Sequence, residues 1–198
     1  MDIGSYKLKE PFRKFISRLL PLFKNTNPNL LSFMIFPISI LTVGSYWLAK
    51  AHDPIYYLLS IVLIFLRMIF ATLDGYVAIS FKKESQKGDY LNRLMPEISD
   101  ITLLGSLLFL YSTHPIVTIS VMGVAWLSAY MGIAGLIVKY PISSLGPVGQ
   151  TDRLIALMIV SLALFFREDL PFMLYFFYWC ILGGVLTLLN RYPKKWRS

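Results

Sequence analysis

Charge is scarce in this chain. Charged residues fill 15% of its 198 positions, where an ordinary soluble domain carries about a quarter, and the deficit excludes a water-soluble globular fold. Cysteine is nearly absent as well. Cys180 stands alone in an apolar run, so no intramolecular disulfide framework is available. The N-terminus has no short apolar core followed by small residues at a cleavage site, and a secretory signal is not expected. There is no internal repeat, low-complexity linker or compositional break to mark a second domain. The expectation is therefore a single membrane domain over 1–198. The net charge of +8 raises the question of nucleic acid. The cations fall in the connections between apolar runs, where membrane topology uses them, so no nucleic-acid partner is expected.

What the chain has in quantity is apolar sequence, 56% of it. About twenty apolar residues span the hydrocarbon as a helix. Six runs approach that length: Leu30 to Leu48, Ile55 to Ala78, Met95 to Tyr111, Ile116 to Val138, the shorter Leu154 to Phe166, and Leu170 to Leu189. The predicted fold class is an all-α integral membrane protein with six transmembrane helices over 30–189 and a basic tail over 190–198. Lys and Arg number six before Leu30, four between Ile79 and Leu94, two between Lys139 and Arg153, and four after Leu189. The opposite side holds only Lys50 and Arg167. The positive-inside rule then makes the protein a multi-pass cell-membrane protein with both termini cytoplasmic. Within the N-terminal segment 1–29, Leu8, Phe12, Phe15, Ile16, Leu19, Leu20 and Phe23 recur at helical spacing with cations between them. This predicts an amphipathic helix lying in the interface against anionic membrane lipids.

The informative stretch runs from Leu73 to Asp100. It carries Asp74, Glu84, Asp89, Glu97 and Asp100 out of eleven acidic residues, between segments apolar enough to cross a bilayer. A carboxylate so close to hydrocarbon is costly, and its default reading is a functional site. Arg67, Ala71, Asp74 and Ala78 share one helical face, and small Gly75 and Ala78 let a partner approach the backbone. Gly88 introduces a second helix on which Asn92, Pro96 and Asp100 lie four apart. Oxygen donors on two such faces suit a divalent cation, Mg²⁺ or Mn²⁺. On the same apolar face, Arg67 reads as the ion-pair partner of Asp74. Lys82, Lys83 and Lys87 are accounted for by topology, with guidance of an anionic substrate as the alternative. His52 and His114 read as outer-loop residues.

These residues resemble the CDP-alcohol phosphotransferase family, whose signature reads DxxDGxxAR, about eight residues, then GxxxDxxxD. The match begins at Ala71 with ATLDGYVAI and continues through Gly88 to Asn92 and Pro96. Pro28-Asn29 followed by Leu-Leu-Ser resembles the family's opening of the first span. Gly146 to Arg153, GPVGQTDR, resembles a segment before the fifth span. The resemblance implies a cytoplasm-facing site on a homodimer. There, two divalent cations held by the signature Asp residues grip the diphosphate of a CDP-linked lipid or alcohol. The fourth Asp acts as general base on an acceptor hydroxyl, and CMP leaves. It further implies substrate contacts at Gly75, Ala78, Gly88, Asp152 and Arg153. Asp152-Arg153 is equally an ordinary anchor at the start of a span.

Carried over singly, the positions diverge. The first Asp falls on Ala71, the second is Asp74, the Arg becomes Ile79, the third Asp becomes Asn92 and the base becomes Pro96. Asn92 still offers a neutral oxygen, whereas Ala71 and Pro96 offer no side-chain donor. Glu97, about a hundred degrees round the helix from Pro96, and Asp100, one turn on, are the candidate replacement bases, given a bend at the proline. Two functions follow. One is a phospholipid-biosynthesis-type transferase using metal at Asp74 and Asn92. The other is a catalytically inactive homologue serving as a membrane binding or assembly subunit.

Overall fold

The structure, a computed structural model, describes residues 9–111, 114–137, 146–167 and 171–192. Their regular secondary structure is helical, with no strand among the described residues. The helices are α1 (Lys9–Leu19), α2 (Pro28–Ala51), α3 (Ile55–Ser80), α4 (Gln86–Tyr111), α5 (Pro115–Ile137), α6 (Gln150–Phe166) and α7 (Phe172–Arg191), with one 3₁₀ turn at Leu20–Phe23. Five of them, α2, α3, α4, α5 and α7, are long and apolar enough to cross a membrane. The chain is thus an all-helical integral membrane protein. The packing forms two compact units, one within residues 8–103 and one within residues 104–198.

In the unit up to Leu103, α2 and α3 form an antiparallel helical hairpin seamed by buried polar residues, Ser60, Arg67 and Asp74 on α3 facing Ser45, Ser39 and Ser32 on α2. Ser45 and Ser60 share a hydrogen bond of 2.7 Å, Arg67 Nε donates to Ser39 Oγ at 3.0 Å, and Ser32 Oγ donates to Asp74 Oδ2 at 2.5 Å. Ser60, Arg67 and Asp74 therefore descend one stripe of α3 opposite a serine stripe of α2. Steps of seven on α3, and of seven and six on α2, keep both stripes in the seam between the two helices. Serine is small enough to let the backbones approach, and in hydrocarbon its hydroxyl bridges rather than seeking water. Tyr46 and Tyr57 close the far end of the seam edge to face, 6.0 Å apart.

Helix α1 packs its apolar face on this hairpin. Ile16 is fully buried against Leu31, Leu73 and Val77, ringed by Phe12, Leu19, Leu20 and Phe23. The amphipathic stretch is helical up to Leu19 and then tightens into the 3₁₀ turn, because Pro21 has no amide to donate back along an α-helix. Helix α4 begins nine residues before the apolar run Met95 to Tyr111. Its polar first turns continue the same helix, with Pro96 tolerated inside it.

In the unit from Leu104 on, α7 is approached closely by α5 and by the loop before α6. A Cβ at Gly183 would overlap Val148, and one at Gly184 would overlap Val124. Thr187 Oγ1 accepts from Val148 N at 3.0 Å and donates to Gly183 O at 2.8 Å. Arg191 at the end of α7 donates to the Ser128 carbonyl of α5.

Candidate functional site

Three chain segments meet around Asp74. Asn27 caps α2, its Oδ1 accepting from Asn29 N at 3.0 Å, and Pro28 occupies the first helical turn, where a missing amide costs nothing. That start places Ser32 one turn further in, where it reaches Asp74 across the seam. The PNLLS and LDG motifs, forty-two positions apart at Ser32 and Asp74, are therefore joined by one hydrogen bond. The other carboxylate oxygen, Oδ1, accepts from Gly75 N at 2.7 Å.

The third segment is the start of α4. Asn92 stands so close to Gly75 that an added Cβ would lie 3.3 Å from its amide nitrogen, and one at Gly88 would lie 3.1 Å from Asn29 Oδ1 and 3.0 Å from Ser85 Oγ. Glycine at 75 and 88 thus lets α2, α3 and α4 converge on an open cleft. Asn29, Ser32, Asp74, Gly75, Ala78, Lys83, Glu84, Ser85, Gly88, Asp89 and Asn92 line it, with Pro28 and Ile79 completing the wall. About 100 Å³ is available inside, room for several waters or a hydrated ion.

Of the residues singled out in the sequence, Asp74, Gly75, Ala78, Gly88 and Asn92 come together in this cleft. Glu97 and Asp100 do not line it. Asp100 is buried further along α4, next to Ser99. Asp152 and Arg153 belong to the other packing unit. There, Asp152 Oδ2 accepts from Gly149 N at 2.8 Å and caps α6, while Arg153 is buried at the first turn. The expected Arg67–Asp74 pair is absent from the seam. The fully buried guanidinium spans the three helices instead, donating from Nε to Ser39 and, at 2.8 Å, to Ser99, and from Nη2 to the Pro96 carbonyl at 3.1 Å. Ser39 and Ser99 are themselves hydrogen-bonded to each other. This node lies one seven-residue step along both helices from the Ser32–Asp74 bond, so it ties α4 to the hairpin just behind the cleft.

Asn29, Ser32, Glu84, Ser85 and Asp89 are cleft residues that motif reading did not assign to the site. Asp89 had a usable signal: it lies three positions before Asn92 and so shares its helical face.

A centre holding two divalent cations demands several carboxylates. Asp74 brings one negative charge and already accepts a hydrogen bond on each oxygen. Ala71 and Pro96 bring no ligand atom, and Glu84 and Asp89, though in the cleft wall, do not gather with Asp74 into a ligand cluster: among the described residues no three of His, Cys, Asp and Glu converge. The residues present do not fit a two-cation centre, and no step is derived through one.

Fold and cleft together define a class: a helical integral membrane protein with a polar cleft at the ends of three helices. No family model matches the sequence. The chain is 28% identical over 160 residues to the inner membrane protein YnbA of Escherichia coli strain K12, over 80% of this chain and 79% of that protein.

Proposed function

We propose that this chain is a membrane protein of the CDP-alcohol phosphotransferase type whose cleft binds the CDP end of a CDP-linked lipid or alcohol without transferring its phosphate group. The observation carrying this reading is the state of Asp74, the one signature carboxylate retained, locked by Ser32 and Gly75 as part of the helical seam. A group held that way supports architecture and hydrogen bonding to a ligand. At the position of the general base in the family pattern stands Pro96, which does not line the cleft, and losing such a base typically costs about two to four orders of magnitude in rate.

A second reading is favoured by a different observation. Glu84 and Asp89 line the same cleft as Asp74 and Asn92, so negative charge lost at Ala71 and Pro96 is partly restored from new positions. In that reading the protein is a phospholipid-biosynthesis transferase that releases CMP with Mg²⁺ or Mn²⁺.

The finer topology belongs with this proposal. Helix α6, at 17 residues, is about 25 Å long against a hydrocarbon core of about 30 Å. It serves as the sixth span, with α1 in the interface and the cation-rich connections, hence the cleft, on the cytoplasmic side. The similarity to an inner membrane protein supports the same compartment, and the family resemblance supports a homodimer.

The deciding experiment incubates purified protein with CDP-diacylglycerol, a panel of alcohols and Mg²⁺ or Mn²⁺, and follows both CMP release and CDP binding. Saturable binding without CMP is expected. CMP release abolished by Asp74→Ala would establish the transferase reading, and absence of both would remove the CDP ligand altogether.

A further inference from the structure

Among the described residues Lys83 is the one lysine in the cleft wall, yet its ammonium is directed to backbone. Helix α3 ends in a Schellman turn: Lys82 N bonds to the Ile79 carbonyl at 3.3 Å, Lys83 N bonds to the Ala78 carbonyl at 2.8 Å, and Lys82 takes the left-handed conformation at φ 53°. The turn folds Lys83 back beside α3. There its Nζ donates to the Lys24 carbonyl at 2.6 Å and the Thr26 carbonyl at 3.0 Å, within reach of the Phe81 ring at 6.0 Å. Those carbonyls belong to the turn that leads directly into the Asn27 cap and the Pro28–Ser32 start of α2. Four helical residues later, Ser32 meets Asp74.

We infer that Lys83 is a positioning residue for the cleft: it clamps the Lys24–Thr26 turn to the end of α3 and so fixes Asn29 and Ser32 against Asp74. This deepens the CDP-binding reading and rests on it for the ligand, though the clamp has a readout of its own. A compact ammonium suits the task, since its rotatable donors serve two carbonyls from separate residues. The basic residues beside it make no such contact: Lys87 is exposed and outside the cleft. The lysine is thereby removed from the set that topology alone explains.

The test uses full-length protein in nanodiscs with CDP as probe. Lys83→Met keeps the stem and removes the donors, Lys83→Arg keeps a donor, and Lys87→Met is the charge-matched control. Cys180, the single native cysteine, is buried, so Thr26→Cys in each background reports the turn's exposure through the rate of maleimide labelling without ligand. Lys83→Met is expected to raise the Kd for CDP about tenfold, roughly one charge-assisted hydrogen bond's worth, and to speed labelling several-fold. Lys83→Arg should recover most of both, and Lys87→Met should change neither. Weaker binding with unchanged labelling would overturn the inference, since Lys83 would then touch the ligand itself. Faster labelling with unchanged affinity would overturn it too, because the turn would not govern the cleft. Equal losses in Lys87→Met would reduce the effect to bulk charge. If wild-type protein fails to bind CDP, the proposed function falls, and the labelling rates alone still decide whether the clamp exists.

Discussion

Removing the hydroxyl of Ser32 is the sharpest test of how the cleft is held. Ser32→Ala deletes a donor at 2.5 Å from a carboxylate oxygen, both residues being buried at 2% exposure. Neutral side-chain hydrogen bonds between membrane helices average about 0.6 kcal/mol, whereas bonds to a charged group contribute about 1.5–3 kcal/mol. Gly75 continues to satisfy the other oxygen of Asp74, so only one of the two bonds is lost. A destabilisation of about 2 kcal/mol is expected. The assay is equilibrium unfolding of purified protein in mixed micelles, run as a double-mutant cycle with Ser32→Ala, Asp74→Ala and the pair. The cycle isolates the shared term, expected at about 1.5–2 kcal/mol. Ser60→Ala supplies the comparison. Its 2.7 Å bond to Ser45 joins two neutral hydroxyls, and its loss should lie near the ~0.6 kcal/mol mean. A Ser32–Asp74 coupling below about 0.5 kcal/mol, or one no larger than the Ser45–Ser60 loss, would refute the account of Asp74 as a seam residue.

Two further outcomes are expected. Lys82→Gly relieves a left-handed conformation that costs a non-glycine residue about 1–2 kcal/mol, partly offset by glycine's unfolded-state entropy, and should raise stability by about 0.5–1 kcal/mol in the same unfolding assay, whereas Lys82→Val should lower it. Placing carboxylates at the positions where the resembled signature has them, through Ala71→Asp, Asn92→Asp and Pro96→Asp together, should create Mn²⁺ binding measurable by calorimetry where wild type shows weak or none; no gain over wild type would mean that these positions do not correspond to that signature.

Much of the helical layout was legible in residue order. Runs of apolar residues specify helices because hydrocarbon leaves backbone groups no other partner, and the observed helices α2, α3, α5 and α7 begin and end within three residues of the runs at Leu30, Ile55, Ile116 and Leu170. Helix α4 was harder to delimit. Its first turns, Gln86–Leu94, are polar, and only continuity with the apolar half keeps them helical.

The cleft was partly legible. Asp74, Gly75, Ala78, Gly88 and Asn92 are close in sequence, and helical periodicity alone puts them on facing surfaces. Pairing across long separations was not. Ser32 to Asp74, Ser39 to Arg67 and Lys83 to the Lys24 and Thr26 carbonyls span 28 to 59 positions, and each depends on how two helices are set against each other. The heptad recurrence of Ser60, Arg67 and Asp74 contained part of that information, but no single-helix wheel names the partner.

Residue order by itself determined that this chain is helical, enters the membrane, and carries a polar stretch with one carboxylate, Asp74, where the signature it resembles has four. Those are properties of composition and local period, which each segment expresses alone. Tertiary structure decided what the remaining groups do. Arg67 joins three helices, Asp74 is bound into the α2–α3 seam, and Lys83 holds a turn. A buried charge takes its role from whichever donor or acceptor the packing brings within 3 Å, and packing is a property of the whole fold.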